Sequence, residues 1–127
     1  MSNYMNRSYH VCENPKTLQL LRDAHSSYDD LDVPDKHAFD LFMQFWWGNL
    51  YQALLLRSDK LLDDESFNMI SNAFVASIAS PGGREYWREA KKNPSIPPSL
   101  VSYLDGRLAS PEELPTSWAA SHDHWSS

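Results

Sequence analysis

The sequence predicts an all-α fold: a small helical bundle around one long central helix, about 34–58, with an antiparallel partner, about 64–79, and short flanking helices. Three observations predict it. Apolar residues recur at helical spacing, and no sustained period-two alternation appears. Aspartate, serine and proline stand just ahead of the apolar-periodic segments, where helix starts need them. Finally, 127 residues that are 42% apolar and 13% aromatic make one domain able to bury a core without metals or disulfides.

Residues 1–14 show no periodicity and read as a flexible N-terminal arm. The helical domain spans 15–109. Pro15 suits the first turn of a short helix, because its missing N–H would be unsatisfied there anyway, and Leu18 and Leu21 give that helix an apolar edge. The polar segment SSYDDLDVPD follows as a turn. Asp32 is the expected N-cap of the long helix, Pro34 fits its first turn, and Asp35 meets the positive end of the helix dipole.

In that helix His37, Asp40, Gln44, Gly48 and Gln52 share one narrow stripe. Phe39, Phe42, Met43, Phe45, Trp46, Trp47, Leu50, Tyr51, Leu54 and Leu55 fill most of the remaining circumference. An apolar arc wider than that of a surface helix predicts cover on at least two sides. The run from Ala38 to Leu56 is nearly long enough for a bilayer, but Asp40, Gln44, Asn49 and Gln52 interrupt it, so it reads as a buried soluble helix rather than a membrane span.

Asp63 caps the next helix, with Asp64 and Glu65 in its first turn and Phe67, Ile70, Phe74 and Ile78 along one side. The short link from the long helix predicts a helical hairpin. Ser80-Pro81 starts a third helix carrying Tyr86, Trp87 and Ala90, to which Gly82-Gly83 would be a flexible lead-in. That helix should stop before Asn93-Pro94. Another begins near Pro97, with Leu100, Val101, Tyr103, Leu104 and Leu108 as its apolar residues. Ser110-Pro111-Glu112-Glu113 matches a capping box but, with Pro115 close behind, marks a turn; 110–127 is that turn and a polar tail.

Charge and motifs exclude more chemistry than they suggest. A net charge of -6 argues against a nucleic-acid or phosphate surface. The lone Cys12 excludes a disulfide framework and a multi-cysteine zinc site, and His10 nearby lacks a scaffold that would activate the thiol. His122-Asp123-His124 has no second cluster to complete a metal's ligands. Pro81-Gly82-Gly83-Arg84 lacks the ending of a phosphate loop, and Asp63-Asp64-Glu65 lacks the glycine of a calcium loop. No metal and no cofactor is expected. His37, Asp40 and Gln44 could line a small polar cleft, with His37 and Asp40 as an acid–base pair, although a solvated stripe explains them equally. Arg84, Arg88 and Lys92, at helical spacing, form a candidate anion or partner-contact stripe.

The pieces FDLFMQFWWGNLYQALLL, LLDDESF, SPGGREYW and PSLVSYLDGRL, in that order over Leu31 to Leu108, resemble a functionally uncharacterised family of bacterial all-helical domains, often found behind an N-terminal transmembrane helix. The resemblance rests on Trp46 to Asn49, Asp63 to Phe67 and Pro81 to Trp87; it implies a helical domain and no catalytic or binding residues. This sequence lacks the transmembrane helix. The expected function is therefore a non-enzymatic, cytoplasmic protein-interaction or structural module with a protein partner or a second copy of itself. It takes no nucleic acid and does not insert into a membrane. The alternatives are an apolar small-molecule or lipid pocket built from Phe42, Trp46, Phe74 and Trp87, which are equally candidates for the interface, and last an enzyme using His37 and Asp40.

Overall fold

The computed structural model of this chain describes residues 14–110 and 114. Among them are five helices and no strand: α1 Pro15–Ser26, α2 Val33–Ser58, α3 Asp64–Ala79, α4 Pro81–Ala90 and α5 Pro98–Leu108. The fold is an all-α bundle. The remaining residues, which include His10, Cys12, Glu112, Glu113 and the His122-Asp123-His124 tail, lie outside this description.

The helix starts follow from local chemistry. Asp32 Oδ1 accepts the Asp35 N–H at 2.9 Å, Asp63 Oδ1 accepts that of Ser66 at 2.6 Å, and Ser80 Oγ accepts that of Gly83 at 3.0 Å. Each occupies one of the donors that a helix start leaves without an intrahelical partner. Asn14, at the end of the expected arm, caps α1 in the same way, accepting the Lys16 N–H at 2.9 Å. Helix α2 ends at a left-handed Lys60, φ 61°, where the Leu61 N–H reaches back to the Leu56 carbonyl at 2.8 Å.

The long helix α2 packs against α1 and α3; α3 in turn meets α4 and α5, and α1 also crosses α4. Helix α3 buries Phe67, Ser71, Phe74, Val75, Ser77 and Ile78 within its short length. Helix α2 buries only Phe39, Met43, Leu50 and Ala53, on one narrow face. Phe42, Trp47, Tyr51 and Leu54, partly buried, pack against the core beside that face, so α1 and α3 together cover a broader arc of α2. Helices this short cannot wrap a 26-residue helix, and part of its apolar surface stays exposed.

Gly82 and Gly83 require a correction. They are buried in the first turn of α4 rather than forming a flexible lead-in. A Cβ on Gly82 would stand 1.6 Å from the Ala24 carbonyl oxygen, and one on Gly83 would stand 1.9 Å from that of Ser77. The missing side chains let α1 and the end of α3 approach the α4 backbone directly. His25, on α1, is buried beside this crossing. Its Nδ1–H donates to the Leu21 carbonyl at 2.6 Å, and its Nε2 lies 2.6 Å from Ser77 Oγ on α3. Asp105-Gly106, a turn signal between strands, lies inside α5. There Asp105 accepts the Trp87 indole N–H at 2.9 Å and ties α5 to α4.

Candidate functional site

Two features stand apart from the core. The first is a half-open cleft of about 230 Å³ where the chain after α1 meets α2, α4 and the segment after α4. Asp40, Gln44 and Trp47 reach it from one side of α2, and Tyr86, Glu89 and Asn93 reach it from α4 and its exit. Their spacing by three or four residues places each set on a single helix face. Tyr28, buried, closes the cleft from the α1–α2 turn, and its hydroxyl donates to Asp40 Oδ1 at 2.7 Å. Tyr86 meets Tyr28 edge to face at 5.6 Å and accepts a hydrogen bond from Trp47.

Burial pushes the Tyr28 phenol above its ordinary range, and the Asp40 hydrogen bond and the charges of Asp40, Glu89 and Asp29 push it the same way. Burial also raises Tyr86, followed by the Asp40 charge and Tyr28, while the Trp47 hydrogen bond partly offsets them. Both phenols thus stay neutral beside the Asp40 side chain. No basic side chain lines the cleft among the described residues, although Lys36 Nζ sits 5.5 Å from the centre of the Tyr28 ring.

The second feature is the outer surface of α2. Leu41, Trp46, Leu55 and Leu56 are 54%, 38%, 43% and 42% exposed. Phe45 is also exposed and stands edge to face against Trp46 at 5.6 Å. No charged residue lies between Asp40 and Arg57 in the sequence. A Cβ on Gly48, midway along this surface, would meet nothing within 4 Å.

The residues singled out from the sequence are distributed differently from the groups in which they were considered. Asp40 and Gln44 line the cleft, whereas His37 is exposed and does not. Phe42 and Trp46 are ring neighbours at 6.2 Å on α2, while Phe74 and Trp87 belong to the buried core. In the basic stripe, Arg84 donates to the Ala79 carbonyl, Arg88 pairs with Asp29 at 3.2 Å, and Lys92 pairs with Glu89 at 3.3 Å. Sequence reasoning missed Tyr28, Tyr86, Glu89 and Asn93 as cleft residues. Only the spacing of the last three along α4 hinted at a shared face.

Among the described residues no group of three or more His, Cys, Asp or Glu is placed to hold a metal, and no helix is long and apolar enough to cross a membrane. No family model matches this chain, and no match is found among curated proteins or solved structures.

Proposed function

We propose that this protein is a non-enzymatic, cytoplasmic interaction module that pairs with a second copy of itself through the outer face of α2. The observation that carries this reading is the exposed, charge-free apolar surface from Leu41 to Leu56. Monomers rarely leave a contiguous apolar patch of more than a few hundred Å² uncovered. The exposed fractions there amount to roughly 300–550 Å² per copy if large side chains offer about 150–250 Å² each. A pair would then bury roughly 600–1,100 Å² from these side chains, the size of a weak or transient interface.

A second copy fits because the surface is nearly symmetric about its middle. Gly48 lies between Leu41 and Leu55–Leu56, so a two-fold antiparallel crossing there brings the ends of one stripe to the opposite ends of the other. Glycine within a helix costs about 1 kcal/mol relative to alanine. Among the described residues no contact offsets that cost at Gly48, whereas a close helix crossing would. The resemblance to bacterial helical domains supports a module of this kind, and the unpaired Cys12 supports the compartment.

Sedimentation velocity of the full chain across the micromolar range tests the proposal. A monomer–dimer equilibrium is expected, together with its loss in Leu41→Glu and Leu56→Glu while helical circular dichroism is retained. A chain that is monomeric throughout, or a dimer that survives both substitutions, overturns it.

A further inference from the structure

We propose that the cleft between Tyr28, α2 and α4 binds a small free organic ammonium ion, of the size of choline or a short diamine. Its walls combine what such a ligand requires. The rings of Tyr28, Trp47 and Tyr86 supply aromatic surface, and Asp40 and Glu89 supply negative charge. Ammonium groups are attracted to the negative faces of aromatic rings, and carboxylates add to that attraction. The amides of Gln44 and Asn93 offer a hydroxyl or second amine a partner, while Ala90 and Ile96 accept its methylene groups.

Other ligand classes fit less well. An anion would face two carboxylates and no basic lining residue. An apolar molecule would strip water from two carboxylates and two amides without replacing their hydrogen bonds. A metal ion would find only two carboxylates, and no cluster of three ligating side chains exists among the described residues. The volume of about 230 Å³ is below the range of drug-sized pockets and corresponds to roughly seven or eight waters. Asp40 receives the Tyr28 hydroxyl on Oδ1, which fixes the carboxylate and leaves Oδ2 for a ligand. The chain itself already uses this chemistry on one aromatic wall, with Lys36 Nζ 5.5 Å from the Tyr28 ring centre. Lys92 pairs with Glu89 on the exposed side, so a ligand would meet Asp40 as its principal counter-charge.

The test is a titration of the full, isotopically labelled chain followed by two-dimensional NMR. The probes are choline, 1,4-diaminobutane and the uncharged choline isostere 3,3-dimethyl-1-butanol. Saturable shifts at Tyr28, Gln44, Trp47 and Asn93 are expected with at least one amine, and the alcohol should bind at least about tenfold more weakly. Asp40→Asn should weaken amine binding about tenfold. Because that change also alters the Tyr28 bond, Glu89→Gln on the exposed rim provides a second reading, expected at roughly threefold. The proposal is overturned if neither amine gives saturable shifts in the cleft, or if the alcohol binds as well as choline. Unchanged affinity in both variants also overturns it, as does binding to phosphatidylcholine vesicles without any effect of free choline. The dimer face adjoins the cleft, because Gly48 and Gln52 continue the Asp40–Gln44 stripe of α2, so the titration is run at concentrations where sedimentation shows a monomer and its outcomes are then independent of pairing.

Discussion

Replacing Gly82 by alanine should remove a large part of this domain's stability, although the same change in an isolated helix would strengthen it. The added Cβ would stand 1.6 Å from the Ala24 carbonyl oxygen, 2.7 Å from the Ala24 carbonyl carbon and 2.8 Å from that of His25. All three are backbone atoms, so no side chain can rotate away. Restoring an ordinary contact of 3.4 Å from 1.6 Å means separating α1 from α4 by about 1.8 Å. A displacement that large stretches the 2.6 Å contact between His25 and Ser77 beyond hydrogen-bonding range. Overpacking costs roughly 1–3 kcal/mol, and a broken buried hydrogen bond about 1–3 kcal/mol more. Helix propensity returns about 1 kcal/mol. The net loss is about 3 kcal/mol, against a total stability of roughly 5–15 kcal/mol for a domain of this size. At about 4–8 °C per kcal/mol, the midpoint should fall by roughly 12–24 °C. Urea and thermal unfolding followed by far-ultraviolet circular dichroism measure it, with Gly48→Ala as the control. Nothing lies within 4 Å of the Gly48 Cβ position, so in dilute solution that variant should gain up to about 1 kcal/mol. A Gly82→Ala protein within about 0.5 kcal/mol of the parent would refute the close-approach argument.

His25→Ala should cost about 2–4 kcal/mol by urea unfolding, because it removes the bonds to Leu21 and Ser77 and the edge contact with Phe39 at 5.5 Å; a loss below about 1 kcal/mol contradicts the tie. Lys60→Gly should stabilise the chain by about 0.5–1 kcal/mol, whereas Lys60→Ala should not, because only glycine relieves φ 61°. Hydrogen bonds from Ser66 hold the Asp63 carboxyl below its ordinary value of 3.8. Its contribution to stability is therefore complete above that value and lost as pH falls through the lower, folded one. Asp63→Asn keeps a good cap but should flatten the acid limb of the stability–pH curve, and urea midpoints measured from neutral pH to strong acid show whether it does.

What was legible in the sequence is what depends on a residue and its near neighbours. Asp32, Asp63 and Ser80 each receive an N–H three residues ahead, so their caps follow from chemistry that needs no tertiary contact. The outer face of α2 was not legible in that way, because Phe45 and Trp46 look like core residues until it is known how little of the helix the others can cover. Gly82-Gly83 misleads for the same reason. Read locally, two glycines loosen a chain; here, α1 crosses at that point and their lack of side chains is what makes the crossing possible. The consequence extends to the cleft. Tyr28 stands just beyond the end of α1, the helix that settles on Gly82, and its hydroxyl reaches Asp40 at 2.7 Å. The sequence places Asp40, Gln44 and Trp47 on one face, but Tyr28 and Tyr86 come from elements that meet at a glycine pair elsewhere. A Cβ at Gly82 should therefore weaken any ligand binding at Asp40 as well as the fold, without touching a single lining residue.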